Sequence, residues 1–133
     1  MPEKQTLKME VPISKINMEL RTVWGWASVA TKDGVPVVDA HGDIIQIDEL
    51  VKAAHDFMTY YRTAKEMHQG DGIGEIVECA VITKDTQEAW GVDLGLEGMW
   101  IGMKIYDQRV WELFKNGTYK AFSIGGYGTR ITE

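Results

Sequence analysis

The stretch T-V-W-G-W-A-S-V-A-T, residues 22–31, constrains the fold more than any other part of the chain. Val23, Gly25, Ala27 and Val29 alternate with Trp24, Trp26 and Ser28, the period of two that a pleated strand imposes. Both alternating sets are largely apolar. A strand with one wet face would show polar residues at every second position, so this one is central to its sheet and covered on both sides.

Other β segments surround it. K-M-E-V-P-I (8–13) reads as a strand, and Pro12, which has no N–H for a ladder, points to an edge or a strand end. Lys32-Asp33-Gly34 reads as a turn. V-V-D-A-H-G-D-I-I-Q-I (37–47) is a loop with apolar shoulders. From there Ile47, Leu50, Val51, Ala54, Met58 and Tyr61 keep the spacing of an amphipathic helix, with Asp48 as its expected N-cap.

I-G-E-I-V-E-C-A-V-I-T (73–83) has the β-branched richness of a long strand, and T-Q-E-A-W-G (86–91) reads as one helical turn or a hairpin loop. M-W-I-G-M-K-I-Y (99–106) is a strand. D-Q-R-V-W-E-L-F-K-N-G (107–117) is a helix capped by Asp107, burying Val110, Trp111 and Phe114 and ending at Asn116-Gly117. A last strand carries K-A-F-S-I-G-G-Y-G-T-R (120–130). Single helices between so many hairpin-like strands fit an α+β fold on an antiparallel sheet or barrel, not a doubly wound parallel sheet.

A chain of 133 residues has room for one domain, 1–133, read as the whole or as the N-terminal part of a longer polypeptide. Its hydrophobic content of 44%, with five Trp, supplies a core without disulfides, and the lone Cys79 has no internal partner. No apolar run reaches the ~20 residues of a membrane span, and the first residues lack a signal-peptide core, so the expectation is a soluble, intracellular protein that binds no membrane. The net charge of −6 is spread along the chain rather than gathered into basic clusters, which argues against nucleic acid as a partner.

Few residues are equipped for chemistry. His55 falls beside the apolar stripe of the first helix, as a boundary residue covering core. His41 sits in the D-A-H-G-D loop. His68 stands at the join between M-H and the glycine-rich Q-G-D-G, where an imidazole could have one nitrogen open to a cleft and one paired inside, as a general base requires. His41, Asp43, His55 and His68 have the residue types of a metal site but no compact ligand spacing. Cys79, inside a strong strand, reads as inert core. Ser123 alternates with Phe122 and Ile124, so it shares a strand face with Ala121 and Gly125, and Gly125-Gly126 let a peptide or an oxyanion approach the backbone. That pattern suits either a nucleophile or a strand ending in a glycine-rich turn.

In order, V-D-A-H-G-D-I-I, A-A-H-D-F-M, M-H-Q-G-D-G-I-G-E-I-V-E, G-M-W-I-G-M-K-I-Y-D-Q-R-V-W-E-L-F-K-N-G and A-F-S-I-G-G resemble the phage prohead (capsid maturation) serine proteases, in the branch of XkdF-like proteins of defective Bacillus prophages. The resemblance runs from about Val23 to about Tyr127. It implies a fold like the herpesvirus maturation protease: an antiparallel β-barrel core of about six to seven strands with peripheral helices. It implies Ser123 as nucleophile and His68 as general base, with no cofactor. Relatives take a third catalytic member from beyond the serine, where Glu133 is the only carboxylate side chain. That member is therefore absent, or Glu133, or an upstream residue among Asp43, Asp71 and Glu75. Arg130 matches loosely the arginine that serves the oxyanion in herpesvirus enzymes, beside Gly125 and Gly126.

The resemblance further implies phage scaffold and major capsid proteins as substrates, action in the host cytoplasm inside the assembling prohead, and pairing of herpesvirus relatives through helices, which leaves a homodimer open. Ile131-Thr132-Glu133 is similar to the sites that T-even prohead proteases cut, which makes Glu133 either a processing end or an arbitrary one. The function implied is a serine endopeptidase of prohead maturation. The alternative is a catalytically inactive barrel of the same fold serving as a capsid-assembly or scaffold module. A metal-dependent hydrolase using His41, Asp43 and His68 is a third and weaker reading.

Overall fold

The computed structural model of the chain describes residues 4–38, 42–61 and 74–129. Among the described residues six strands run β1 (Lys4–Asn17), β2 (Thr22–Lys32), β3 (Val35–Pro36), β4 (Gly74–Ile82), β5 (Leu96–Ile105) and β6 (Ala121–Thr129). Helix α1 (Ile47–Asp56) continues into a π-helical turn, Phe57–Tyr61, and two short helices follow, α2 (Lys84–Trp90) and α3 (Gln108–Lys115). The strands form one antiparallel sheet in the order β4-β5-β2-β1-β6, with β3 paired to β2 off that path.

β2 is central, as its two apolar faces require: it pairs with β1 on one side and β5 on the other. Asp33 and Gly34 both take positive φ, 53° and 78°, the left-handed pair that a two-residue hairpin between β2 and β3 needs. On β2, Trp24 is buried with its indole against its cross-strand partner Gly102, and the ammonium of Lys15, on β1, lies 4.3 Å from the ring centroid. A side chain at position 102 would stand where that indole lies, since a Cβ there would come within 2.8 Å of Trp24 Cδ1.

The fold is α+β with peripheral helices, but the barrel expected from the resemblance does not close. β4 and β6 are the two ends of the strand order and do not pair, so the sheet is a curled, open half-barrel. The curl has a visible source. The ladders slip between Ile13 and Lys15, between Trp26 and Ser28, between Val29 and Thr31, and between Ile76 and Glu78, and each such irregularity bends its strand and adds twist. β4 makes a poor closing partner, with its own bulge and with Val77 and Glu78 exposed.

Pro12 marks neither an edge nor an end. It lies within β1, where the strand changes partner: Lys4 to Pro12 pair with β6, and Ile13 to Asn17 with β2. A residue without an N–H fits that handover, because one ladder ends there and the next begins.

Helix α1 also starts earlier than Asp48 would set it. Gln46 occupies the N-cap position without a side-chain hydrogen bond, and Asp48 and Glu49 lie in the first turn, where their charges suit the helix dipole. Leu50 and Ala54 are its buried residues, and Phe57, first in the π-helical turn, is buried after them. The uncertain 86–91 stretch belongs to a true helix: Thr83 Oγ1 accepts from Thr86 N at 3.1 Å at the start, and Gly91 ends it at φ 74°. Both polar side-chain atoms of buried Gln87 are hydrogen-bonded, Nε2 donating to Leu96 O and Oε1 accepting from Leu94 N, both at 2.7 Å. α3 follows its sequence signals, with Asp107 Oδ1 accepting from Val110 N at 2.9 Å and Trp111 and Phe114 buried. Val11, Val23, Leu50, Ile76, Met99 and Ile101 lie at the heart of the core.

Candidate active site

β6 forms because Phe122 has somewhere to go. It is buried in the core, and its register partner on β1, Val11, is fully buried. From this anchor β6 and β1 stay in register over nine successive pairs, Ala121 opposite Pro12 through Thr129 opposite Lys4. Ser123 is the third residue of the strand and stands directly opposite Glu10; Gly125 stands opposite Lys8, and Gly126 opposite Leu7. Ser123 is thus placed on an edge strand, since β6 is paired with β1 alone among the described residues.

The general base expected from sequence, His68, lies outside the described residues, as do His41, Asp71, Arg130 and Glu133. The chain between 62 and 73 leaves the π-helical turn Phe57–Tyr61, which approaches β6, and re-enters the described structure at Gly74, which pairs with Ile105 on β5. Glu75 sits at the start of β4, with three strands between it and β6, and its carboxylate Oε1 accepts a 2.6 Å hydrogen bond from Tyr106 Oη. That bond raises the pKa of the Tyr106 hydroxyl. Asp43 is half-buried next to Ile44, which bridges Val38 in the loop ahead of α1.

His55 is exposed on α1 instead of covering core, because Ala54 takes the inward position and its neighbour turns to solvent. Among the described residues no group of three His, Cys, Asp or Glu side chains converges. Cys79 packs against the core, and burial pushes its thiol from 9.0 up to about 11. The thiolate is the reactive form. Iodoacetamide is therefore expected to alkylate Cys79 at pH 8 about 100-fold more slowly in the folded chain than in urea, by the ratio of thiolate that two pH units represent. Equal rates measured by intact mass would show an open thiol. The same shift makes the fold lose stability as pH rises from 9.0 toward 11, where only the unfolded thiol ionises.

The register that sets Ser123 opposite Glu10 joins the two ends of the chain, and no local sequence pattern reports it.

Residues 10–132 match the family model described as "Putative phage serine protease XkdF". The chain belongs to this family. Two Bacillus subtilis (strain 168) proteins resemble it. One, named "Uncharacterized protein YqbD", is 35% identical over 98 residues, covering 72% of this chain and 30% of that protein. The other, "Phage-like element PBSX protein XkdF", is 33% identical over 91 residues, covering 68% of this chain and 32% of that protein. The chain thus spans about a third of the length of these two relatives. No solved structure matches it.

Proposed function

We propose that this XkdF-family chain is a serine endopeptidase that processes scaffold and major capsid proteins during phage prohead maturation, with Ser123 as nucleophile and His68 as general base. The observation that carries the reading is the family match, which takes in His68 and Ser123 within residues 10–132 of a family described as a serine protease. The place of Ser123 on an edge strand supports it, because among the described residues no strand pairs with the outer side of β6, and such an edge can take an extended peptide.

In this mechanism Ser123 Oγ attacks the scissile carbonyl while His68 takes its proton. The tetrahedral oxyanion is held by donors near Gly125 and Gly126, with Arg130 as the cationic candidate. Collapse expels the amine, which receives the proton from His68 and leaves an acyl-enzyme. Water, activated by the same imidazole, then releases the acid. Asp43, Asp71, Glu75 and Glu133 remain sequence candidates for a third member; of these, Glu75 already holds the Tyr106 hydroxyl.

Action inside the assembling prohead, in the host cytoplasm, and pairing into a homodimer belong to the same proposal. Among the described residues no helix is long and apolar enough to cross a membrane. The test is incubation of the purified chain with scaffold and major capsid proteins of one phage, beside His68→Ala. Cleavage by the parent and none by the variant supports the reading. Equal fragments from both would overturn His68 as the base, and binding without cleavage by either would favour an assembly module.

A further inference from the structure

Helix α3 buries Trp111 and Phe114, and an unmatched positive charge accompanies each of them. Toward the start of the helix the Arg21 guanidinium lies over the Trp111 ring, with Cζ 5.7 Å from the centroid. Its Nε and Nη2 are buried and meet no hydrogen-bond acceptor among the described residues. Buried donors left without an acceptor are costly, and the ring face offsets only part of that cost.

Three residues on, about 4.5 Å along the helix axis, Phe114 walls a pocket of about 320 Å³ together with Ile13, Ile16, Gly117, Tyr119 and Lys120. These walls are tied in place. Ile13 N donates to Lys120 O at 2.9 Å, Gly117 N to Phe114 O at 3.2 Å, and Tyr119 N to Leu113 O at 2.9 Å. The Tyr119 and Phe114 rings meet edge-on, 5.5 Å between centroids. Lys120 is exposed and is the one charged residue among the walls. Among the described residues neither Arg21 nor Lys120 forms an ion pair. The carboxylates beside them are engaged: Glu112 Oε1 accepts from Lys115 Nζ at 3.0 Å and from Gln108 Nε2 at 2.8 Å, and Asp107 caps α3 itself. In a chain of net charge −6, this helix face holds a local excess of the opposite sign.

We propose that the pocket binds a small anion with an apolar body, of the class of a medium-chain carboxylate. The apolar body packs on Ile13, Ile16 and Phe114, and the anionic head pairs with the Lys120 ammonium. Arg21 acts through its field, because its buried nitrogens are closed to contact while a buried charge is poorly screened. Small-molecule sites combine apolar walls with a few polar groups in this way, at volumes of roughly 300–1,000 Å³. The inference is independent of the serine-protease reading, since its readout is binding without hydrolysis.

The experiment is an NMR titration of the parent chain with octanoate, octanol and octylamine, repeated on Lys120→Gln, Lys120→Arg and Arg21→Met, with a thermal melt of each. Octanoate is expected to shift the methyl signals of Ile13 and Ile16 and the ring signals of Phe114 and Tyr119. Octanol and octylamine should bind about tenfold more weakly or worse, the scale of one lost charge-assisted hydrogen bond. Lys120→Gln should bring octanoate down to the level of octanol, and Lys120→Arg should keep most of its affinity. Arg21→Met should weaken octanoate and leave octanol unchanged. Octanol binding as tightly as octanoate, octanoate shifts that fall outside the pocket, or affinity undiminished in Lys120→Gln would overturn the proposal. Octanoate bound equally by Arg21→Met and the parent would overturn the part assigned to Arg21.

Discussion

Replacing His68 by alanine is expected to lower the rate of peptide hydrolysis by about 10⁴-fold or more, the scale seen when a nucleophile loses its base. The loss falls on kcat with KM little changed, because the imidazole moves a proton in the transition state and contributes little to holding the ground-state peptide. Ser123→Ala should fall to the same floor, and the double variant no further, since the two residues act as one unit. A melt of His68→Ala close to the parent's would tie the lost rate to chemistry and not to unfolding. A drop of less than tenfold in kcat/KM would remove His68 from the mechanism.

Gly25→Ala is expected to cost the fold about 3 kcal/mol, the upper end of what overpacking does. Gly25 opposes Ile13, the first residue of β1 after the strand changes partner, and both Gly25 and Val11 are buried. A Cβ built on Gly25 would lie 2.8 Å from Val11 Cγ1 and closer still to the carbonyl oxygen of Pro12. Val11 is fully buried and stiff at χ1, and the Pro12 carbonyl is backbone, so neither can swing aside and β1 itself must move. Such a shift would propagate along the ladder that positions β6 and Ser123. Urea denaturation with the midpoint lowered and the slope unchanged would bear this out. A variant as stable as the parent would mean that the approach of β1 to β2 at this point is looser than described.

What the sequence disclosed, it disclosed locally. α3 was readable because its cap at Asp107, its buried Trp111 and Phe114 and its Asn116-Gly117 ending all lie within eleven residues. The centrality of β2 was readable because both of its faces are apolar. Closure of the sheet was not readable, because it turns on whether β4 and β6 pair, and no local pattern reports the accumulated bend of four ladder slips. Pro12 misled for a related reason. Its missing N–H signals an interrupted ladder, and a change of partner within one strand meets that requirement as well as an edge does. At the site, Ser123 and its glycines stood out in the sequence and by resemblance. The β1–β6 register that sets Ser123 on an edge strand did not, because it joins opposite ends of the chain.

The most direct test of the account is intact-mass analysis of the chain after treatment with a fluorophosphonate probe, with Ser123→Ala and His68→Ala beside it. The account predicts one adduct on the parent chain, mapped to the peptide carrying Ser123, absent from Ser123→Ala and strongly reduced in His68→Ala. A folded parent chain that takes up no adduct, or an adduct that survives Ser123→Ala, would contradict it.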